Sequence, residues 1–166
     1  MDMYADFTYY STEYAGKLVQ SADFPRMARK ASRLLDVITT GKLKFAFPTV
    51  MEDMQAVKDC QCELAELLTR VEQYQNTALE SMGAVTQTDG TVKGKVISSV
   101  SSGSESVSYS IGGGVSSSLV EAAKDKKVLD ELVYDIIRDA LSGIPDANGV
   151  NLLYAGPYPG KRELWA

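Results

Sequence analysis

Three acidic residues have the spacing that could do chemistry on one helix face. Glu131, Asp135 and Asp139 recur at intervals of four in a segment with helical periodicity, which brings their carboxylates to the same side of a helix. Paired carboxylates can serve as general acid and base or bind a hard cation. We favour a solvated outer face, because no other functional group converges on them and Arg138 offsets part of their charge.

Other catalytic residue types are scarce. The chain contains no histidine, which excludes Ser-His-Asp and Cys-His nucleophiles, histidine-ligated metals and imidazole proton shuttles. The only cysteines, Cys60 and Cys62, lie two apart on a predicted helix, where they point in different directions and cannot form a zinc site without further ligands. We interpret Cys60 as a small core residue, and we expect a protein without catalytic residues, metal or cofactor.

Two glycine-containing segments do not match phosphate-binding loops. Gly94-Lys95 is followed by Val96, and Asp89 stands where the first glycine of a P-loop belongs. Gly112–Gly114 has no lysine after it, so we interpret it as a hinge.

Composition favours one folded domain that stays in a reducing cytosol. The chain has 166 residues, of which 45% are hydrophobic and 23% charged, and a net charge of −5. Such a balance is not that of a general nucleic-acid binder. The first ten residues show no signal-peptide pattern, and no apolar run reaches the length of a membrane span.

Basic residues line one face of an early helix. Arg26, Arg29, Lys30 and Arg33 lie opposite its apolar stripe. They form either a solvated charged face or a surface that meets an acidic partner subunit or the DNA backbone.

The periodicity predicts a mainly α fold, a small bundle of about four helices, two of them long. Tyr4–Tyr10 reads as extended and Lys42–Pro48 as a short extended connector. The predicted helices are Glu13–Gln20, a second that Asp23 caps and Gly41 ends, a third over Val50–Met82 that Thr49 caps, and a last over Ser118–Gly143. The helical core is thus expected at 11–83 and 118–143 within a single domain, 1–166.

A Ser/Gly-rich insertion, at about 92–115, separates the two long helices. Eleven of the 22 residues of Ile97–Ser118 are serine, yet apolar residues alternate on both sides of a Gly/Ser turn. This alternation predicts a β-hairpin with an apolar face, and a flexible linker is the alternative. Because an isolated hairpin is marginal in water, we expect it to contact a partner. Its candidate contact residues are Val96, Val100, Val107, Tyr109 and Ile111.

An extended C-terminal tail, about 148–166, is unusually apolar for a terminal segment. Glycine and proline punctuate it, and it either folds onto its own core or docks on a partner. Its candidate docking residues are Leu152, Leu153, Tyr154, Pro157, Tyr158, Leu164 and Trp165.

Four motifs in this order resemble those of the head-tail connector, or head-completion, proteins of tailed phages and prophages. They are the aromatic run Tyr4–Tyr10, the early helix and its exit over Asp23–Leu43, the hairpin sequence SESVSY at Ser104–Tyr109, and LLYAG at Leu152–Gly156. They span nearly the whole chain. The last motif departs from the family pattern, since Ala155 stands where the family has arginine.

The resemblance implies a structural virion protein at the head-tail junction, assembled in the host bacterial cytoplasm. Copies of the chain would form a ring, dodecameric by family resemblance, beneath the portal protein. The ring would extend the DNA channel, with DNA as channel content only and no membrane contact. The C-terminal tail would face the portal, and the hairpin would contact neighbouring subunits or the next ring, where a stopper or tail-completion protein docks. The alternatives are a tail component, a helical scaffold or chaperone, and an enzyme that uses the carboxylates of the last helix.

Overall fold

The computed structural model describes residues 3–81, 84–86, 92–94 and 117–158. Over these residues the chain is mainly helical, which confirms the class predicted from periodicity. The helices are α1 (Phe7–Thr12), α2 (Phe24–Ile38), α3 (Lys42–Phe45), α4 (Met51–Ser81), α5 (Ser117–Lys124) and α6 (Lys126–Leu141). None of these described helices combines the length and apolar character needed to cross a membrane.

The fold divides into two compact units. The first combines the residues up to Thr69 with those from Asp130 onward, and the second is Arg70–Leu129. Each therefore contains part of α4 and part of α6. Within the second unit, the side chain of Gln75 donates to the backbone carbonyl of Ala123 at 3.0 Å and links α4 to α5.

The first helix lies earlier than predicted. α1 covers Phe7–Thr12, where the sequence suggested an extended segment, and the helix predicted over Glu13–Gln20 is absent. Asp6 explains the shift, because its carboxylate accepts a hydrogen bond from the backbone N–H of Tyr9 at 2.8 Å and caps the helix.

Tyr10 fastens α1 to the rest of the first unit. Its ring is fully buried 4.9 Å from that of Phe24, and its hydroxyl donates to Glu66 at 2.7 Å. The same oxygen accepts from the backbone N–H groups of Leu18 at 2.9 Å and Val19 at 3.0 Å. The hydroxyl of Tyr10 thus holds two backbone amides of the segment that the sequence predicted to be helical, Glu13–Gln20.

The apolar face of the second helix lies where the periodicity predicted it, but the predicted cap is wrong, since the Asp23 side chain makes no capping hydrogen bond to α2. Its described core residues are Phe24, Met27, Ala28, Ala31 and Leu35, together with Ser32 and Asp36. Gly41 follows in a left-handed conformation, with φ of 77°, which glycine adopts without strain.

The connector after Gly41 is a helical turn and not an extended strand. In α3 the backbone N–H of Ala46 donates to the carbonyl of Lys42 at 2.8 Å. The alternation of Leu43 and Phe45 suggested an extended segment, but one turn of helix buries Leu43 and leaves Phe45 89% exposed.

The long third helix is confirmed within one residue at each end. As α4, it runs for 31 residues, or about 46 Å at ~1.5 Å per residue. Cys60 is buried, as predicted, and so is Cys62. Both cysteines are free thiols.

The last helix is broken where one continuous helix was predicted. α5 ends at Lys124 and α6 begins at Lys126. Asp125 causes the break, since its carboxylate accepts from the backbone N–H of Lys127 at 2.8 Å and starts a new helix.

A short antiparallel strand pair lies in the second unit. β1 (Ala84–Thr86) pairs with β2 (Val92–Gly94), and the sequence between them contains Asp89-Gly90, a pair typical of hairpin turns. The hairpin predicted over Val96–Ile111 lies outside the described residues and stays a prediction.

Candidate functional site

The segment that follows α6 folds back onto the first unit. Gly143, with φ of 84°, turns the chain after Leu141. Ile144 and Leu152 then meet, the backbone N–H of Leu152 donating to the carbonyl of Ile144 at 2.9 Å. Leu152 itself is fully buried, so the resulting loop is anchored in the core at its far end.

Asp146 organises this loop from inside. One carboxylate oxygen accepts from the backbone N–H groups of Asn148 at 2.8 Å and Val150 at 2.9 Å. The other accepts from the hydroxyl of Tyr158 at 2.5 Å. Burial acts to raise the pKa of Asp146, but the hydrogen bonds from Tyr158 and the two amides outweigh it, so the pKa lies below its usual value. The carboxylate is therefore ionised and fully engaged at neutral pH.

Lys42 holds the other end of the segment. Its side chain is buried, and its ammonium donates to the backbone carbonyls of Leu152, at 3.1 Å, and Tyr154. A third hydrogen bond goes to the hydroxyl of Thr40 at 3.2 Å. Burial lowers the pKa of Lys42, and the charge of Asp146 opposes that effect. With three acceptors for three protons, the ammonium has no donor left for a ligand.

A pocket of about 380 Å³ opens beside this anchor. Its described lining residues come from α3 and the residues flanking it and from the returning segment: Thr40, Lys42, Phe45, Ala46, Asn148, Gly156 and Tyr158. Phe45 is the most exposed of the large apolar side chains in the described part of the chain. The pocket therefore presents an aromatic ring to solvent next to the predicted docking tail.

The described docking residues differ in burial. Leu152 is a core residue, which corresponds to the alternative in which the tail folds onto its own unit. Leu153 and Tyr158 are half-buried, whereas Tyr154 and Pro157 are exposed. Leu164 and Trp165 lie outside the described residues, as do all five hairpin candidates, Val96, Val100, Val107, Tyr109 and Ile111.

The basic residues of α2 are all exposed. Arg29, Lys30 and Arg33 face solvent, and Arg26 lies 3.9 Å from the carboxylate of Asp23. The structure thus leaves this face accessible, as either interpretation of it requires.

The acidic residues of α6 are exposed as well. Arg138 pairs with Asp135 at 2.9 Å and with Asp139 at 3.1 Å, which offsets part of the negative charge of this face. Across the described residues, no group of His, Cys, Asp and Glu side chains could hold a metal ion.

Sequence reasoning missed the residues that build this site. Lys42, Phe45 and Asp146 carried no motif, because their roles depend on segments about a hundred positions apart. The one usable signal was Leu152-Leu153-Tyr154, which marked the returning segment without showing what holds it.

No protein-family model, curated protein or solved structure matches the chain.

Proposed function

We propose that the protein is a structural virion component, a head-tail connector that forms a ring beneath the portal of a tailed phage. It extends the DNA channel and offers a docking surface to the next connector or the tail. The four sequence motifs, in family order, support the proposal. The structural observation that carries it is the anchoring of the LLYAG motif, Leu152–Gly156, by Lys42.

An anchored motif suits a docking role. A segment already held in place loses less conformational freedom when it binds, so more of the contact energy appears as affinity. Here Leu152 and Lys42 hold the backbone, while the side chains of Tyr154 and Pro157 remain exposed. Aromatic side chains presented in this way are typical anchors of protein interfaces. In this proposal Leu153, Tyr154, Pro157, Tyr158, Leu164 and Trp165 contact the portal, and Leu152 positions them.

Charge supports the assembly of copies into a ring. A ring needs two different, complementary surfaces on each subunit. The exposed basic face of α2, with Arg29, Lys30 and Arg33, and the exposed acidic face of α6 have opposite sign. In this proposal they meet between neighbours, where opposite charge fixes the register of association, and the hairpin at Val96–Ile111 adds a strand contact.

The experiment is purification of the tagged chain from phage-producing cells, with mass spectrometry and negative-stain electron microscopy of the eluate. We expect portal protein with a ring of this chain on it. Tyr154→Ala should reduce the recovered portal several-fold. Val50→Ala is the matched control, since it truncates an apolar side chain of similar exposure that lies outside the tail and both charged faces, and it should leave recovery unchanged. Equal recovery with both variants would remove the docking role from Tyr154.

The second candidate is another interaction protein, a tail component or a helical scaffold or chaperone. The exposed apolar side chains of Val37, Phe45 and Met51 favour partner binding without specifying the partner. A stable complex with one non-portal protein, and no ring, would replace the connector proposal with this one.

A further inference from the structure

The aromatic side chain of Phe45 is exposed to solvent. Its ring lies over Gly41, where an added Cβ would come within 3.3 Å of Phe45 Cε2, yet the residue is 89% exposed. It lines the pocket of about 380 Å³ together with Ala46, Gly156 and Tyr158. An apolar side chain that filled the pocket would remove this ring from water, which is favourable.

The polar groups of the pocket already have partners within the chain. The ammonium of Lys42 uses its three protons on Thr40, Leu152 and Tyr154. The hydroxyl of Tyr158 donates to Asp146 and accepts from the side-chain amide of Asn148 at 2.8 Å. An anion or sugar would have to displace these bonds, whereas an aromatic side chain would not. The pocket therefore fits an apolar occupant.

The sequence supplies such an occupant at the edge of the pocket. Tyr158 is a pocket wall, and Pro159-Gly160 follows it, a pair that favours a turn. Leu164-Trp165 are the next two large apolar residues after this pair. From Tyr158 to Trp165 the backbone can reach at most roughly 25 Å, enough to return to a pocket that begins at Tyr158.

We propose that Trp165 of the same chain, with Leu164 beside it, occupies the Phe45 pocket in the free subunit. Tethering favours this occupant over a free partner, because a short linker holds the segment at an effective concentration of about millimolar. This contact between Trp165 and the Phe45 pocket does not require the portal protein. A subunit that also docks by Leu164 and Trp165 releases them from the pocket first.

Tryptophan fluorescence of the full chain tests this contact, since Trp165 is the only tryptophan. We expect blue-shifted emission and weak quenching by acrylamide in the wild type. Phe45→Ala should shift the emission to the red and raise the quenching constant several-fold. Met51→Ala is the matched control, since it truncates another largely exposed apolar side chain that is not among the described pocket residues. It should change neither quantity.

The same samples show whether each variant is folded and whether Trp165 contacts the pocket of its own chain or that of a second copy. Far-UV circular dichroism should be unchanged by Phe45→Ala, because the removed ring is exposed. If helicity falls, Phe45→Leu replaces it, and quenching above that of the wild type is expected. Wild-type emission typical of solvent-exposed indole, or emission indifferent to both Phe45 variants, would overturn the proposal. A blue shift that disappears on dilution would assign Trp165 to the pocket of a second copy and overturn the same-chain contact.

Discussion

The ammonium of Lys42 donates to the backbone carbonyl of Leu152 at 3.1 Å, across 110 positions of the sequence. A buried cation is costly unless its hydrogen bonds are satisfied, and here the chain's own carbonyls satisfy them. The same hydrogen bond therefore holds the returning segment in place and stabilises the buried charge of Lys42.

Removing this cation should loosen the first unit. Lys42→Met leaves the carbonyls of Leu152 and Tyr154 without their donor, which costs about 1–3 kcal/mol of unfolding free energy. Urea denaturation followed by circular dichroism measures the change. Lys30→Met, which removes an exposed lysine from α2, should cost less than about 0.5 kcal/mol. Equal stability of both variants would contradict the anchoring role.

Asp146 should make the protein sensitive to acid. Because the folded-state pKa of this carboxyl lies below its ordinary value of 3.8, its contribution to stability is complete above that value. It is lost as the pH falls below 3.8 through the folded-state pKa. In Asp146→Asn this loss is absent, so the difference in unfolding free energy between wild type and variant should shrink on acidification. The exposed Asp139→Asn controls for removal of a charge, and parallel pH profiles for wild type and Asp146→Asn would contradict the prediction.

Two glycines beside tyrosines should respond differently to alanine. An added Cβ would lie 2.1 Å from the ring of Tyr10 at Gly16 and 2.2 Å from the hydroxyl of Tyr154 at Gly156. Tyr10 is buried and cannot move away, so Gly16→Ala should cost about 1–3 kcal/mol by overpacking. Tyr154 is half exposed and can swing aside, so Gly156→Ala should cost less than about 0.5 kcal/mol. Thermal unfolding of the two variants compares the sites directly, and the opposite ranking would contradict the packing described for Tyr10.

The two thiols should be unreactive in the folded protein. Burial, followed by the charges of nearby carboxylates, raises the pKa of both Cys60 and Cys62 to about 12, which leaves almost no thiolate at neutral pH. Alkylation with iodoacetamide, read by mass spectrometry, should be slow in buffer and complete in urea. Rapid labelling of either residue in buffer would show that this part of α4 opens readily.

Local patterns predicted the parts of the fold that depend on neighbours in sequence. The apolar stripe of α2 and the extent of α4 follow from periodicity, and the end of α2 follows from Gly41; both signals act over a few residues. Capping by Asp6 moved the first helix, and capping by Asp125 divided the last one. In both cases a short acidic side chain accepts a backbone hydrogen bond. The spacing of apolar residues does not reveal such bonds.

The site was less accessible to sequence reasoning than the helices. The tail motif was recognised, but the identity of its anchor depends on which residue of the first fifty lies beside it in space. Lys42 reads as an ordinary surface lysine until Leu152 and Tyr154 are placed over it. Phe45 likewise reads as half of an alternating pair with Leu43, and only the helical turn exposes it.

The hydrogen bond from Lys42 to Leu152 also determines when the first unit can complete its folding during synthesis. During synthesis Lys42 leaves the ribosome 110 residues ahead of its acceptor, an interval of about 5–20 s at ~5–20 residues per second. Until then its ammonium has only the hydroxyl of Thr40 among its three folded-state partners, and it is better hydrated than buried. The first unit therefore closes only after the whole second unit, Arg70–Leu129, has been made. A nascent chain cut short before residue 152 lacks both carbonyls, so the returning segment marks a chain whose synthesis has passed that point.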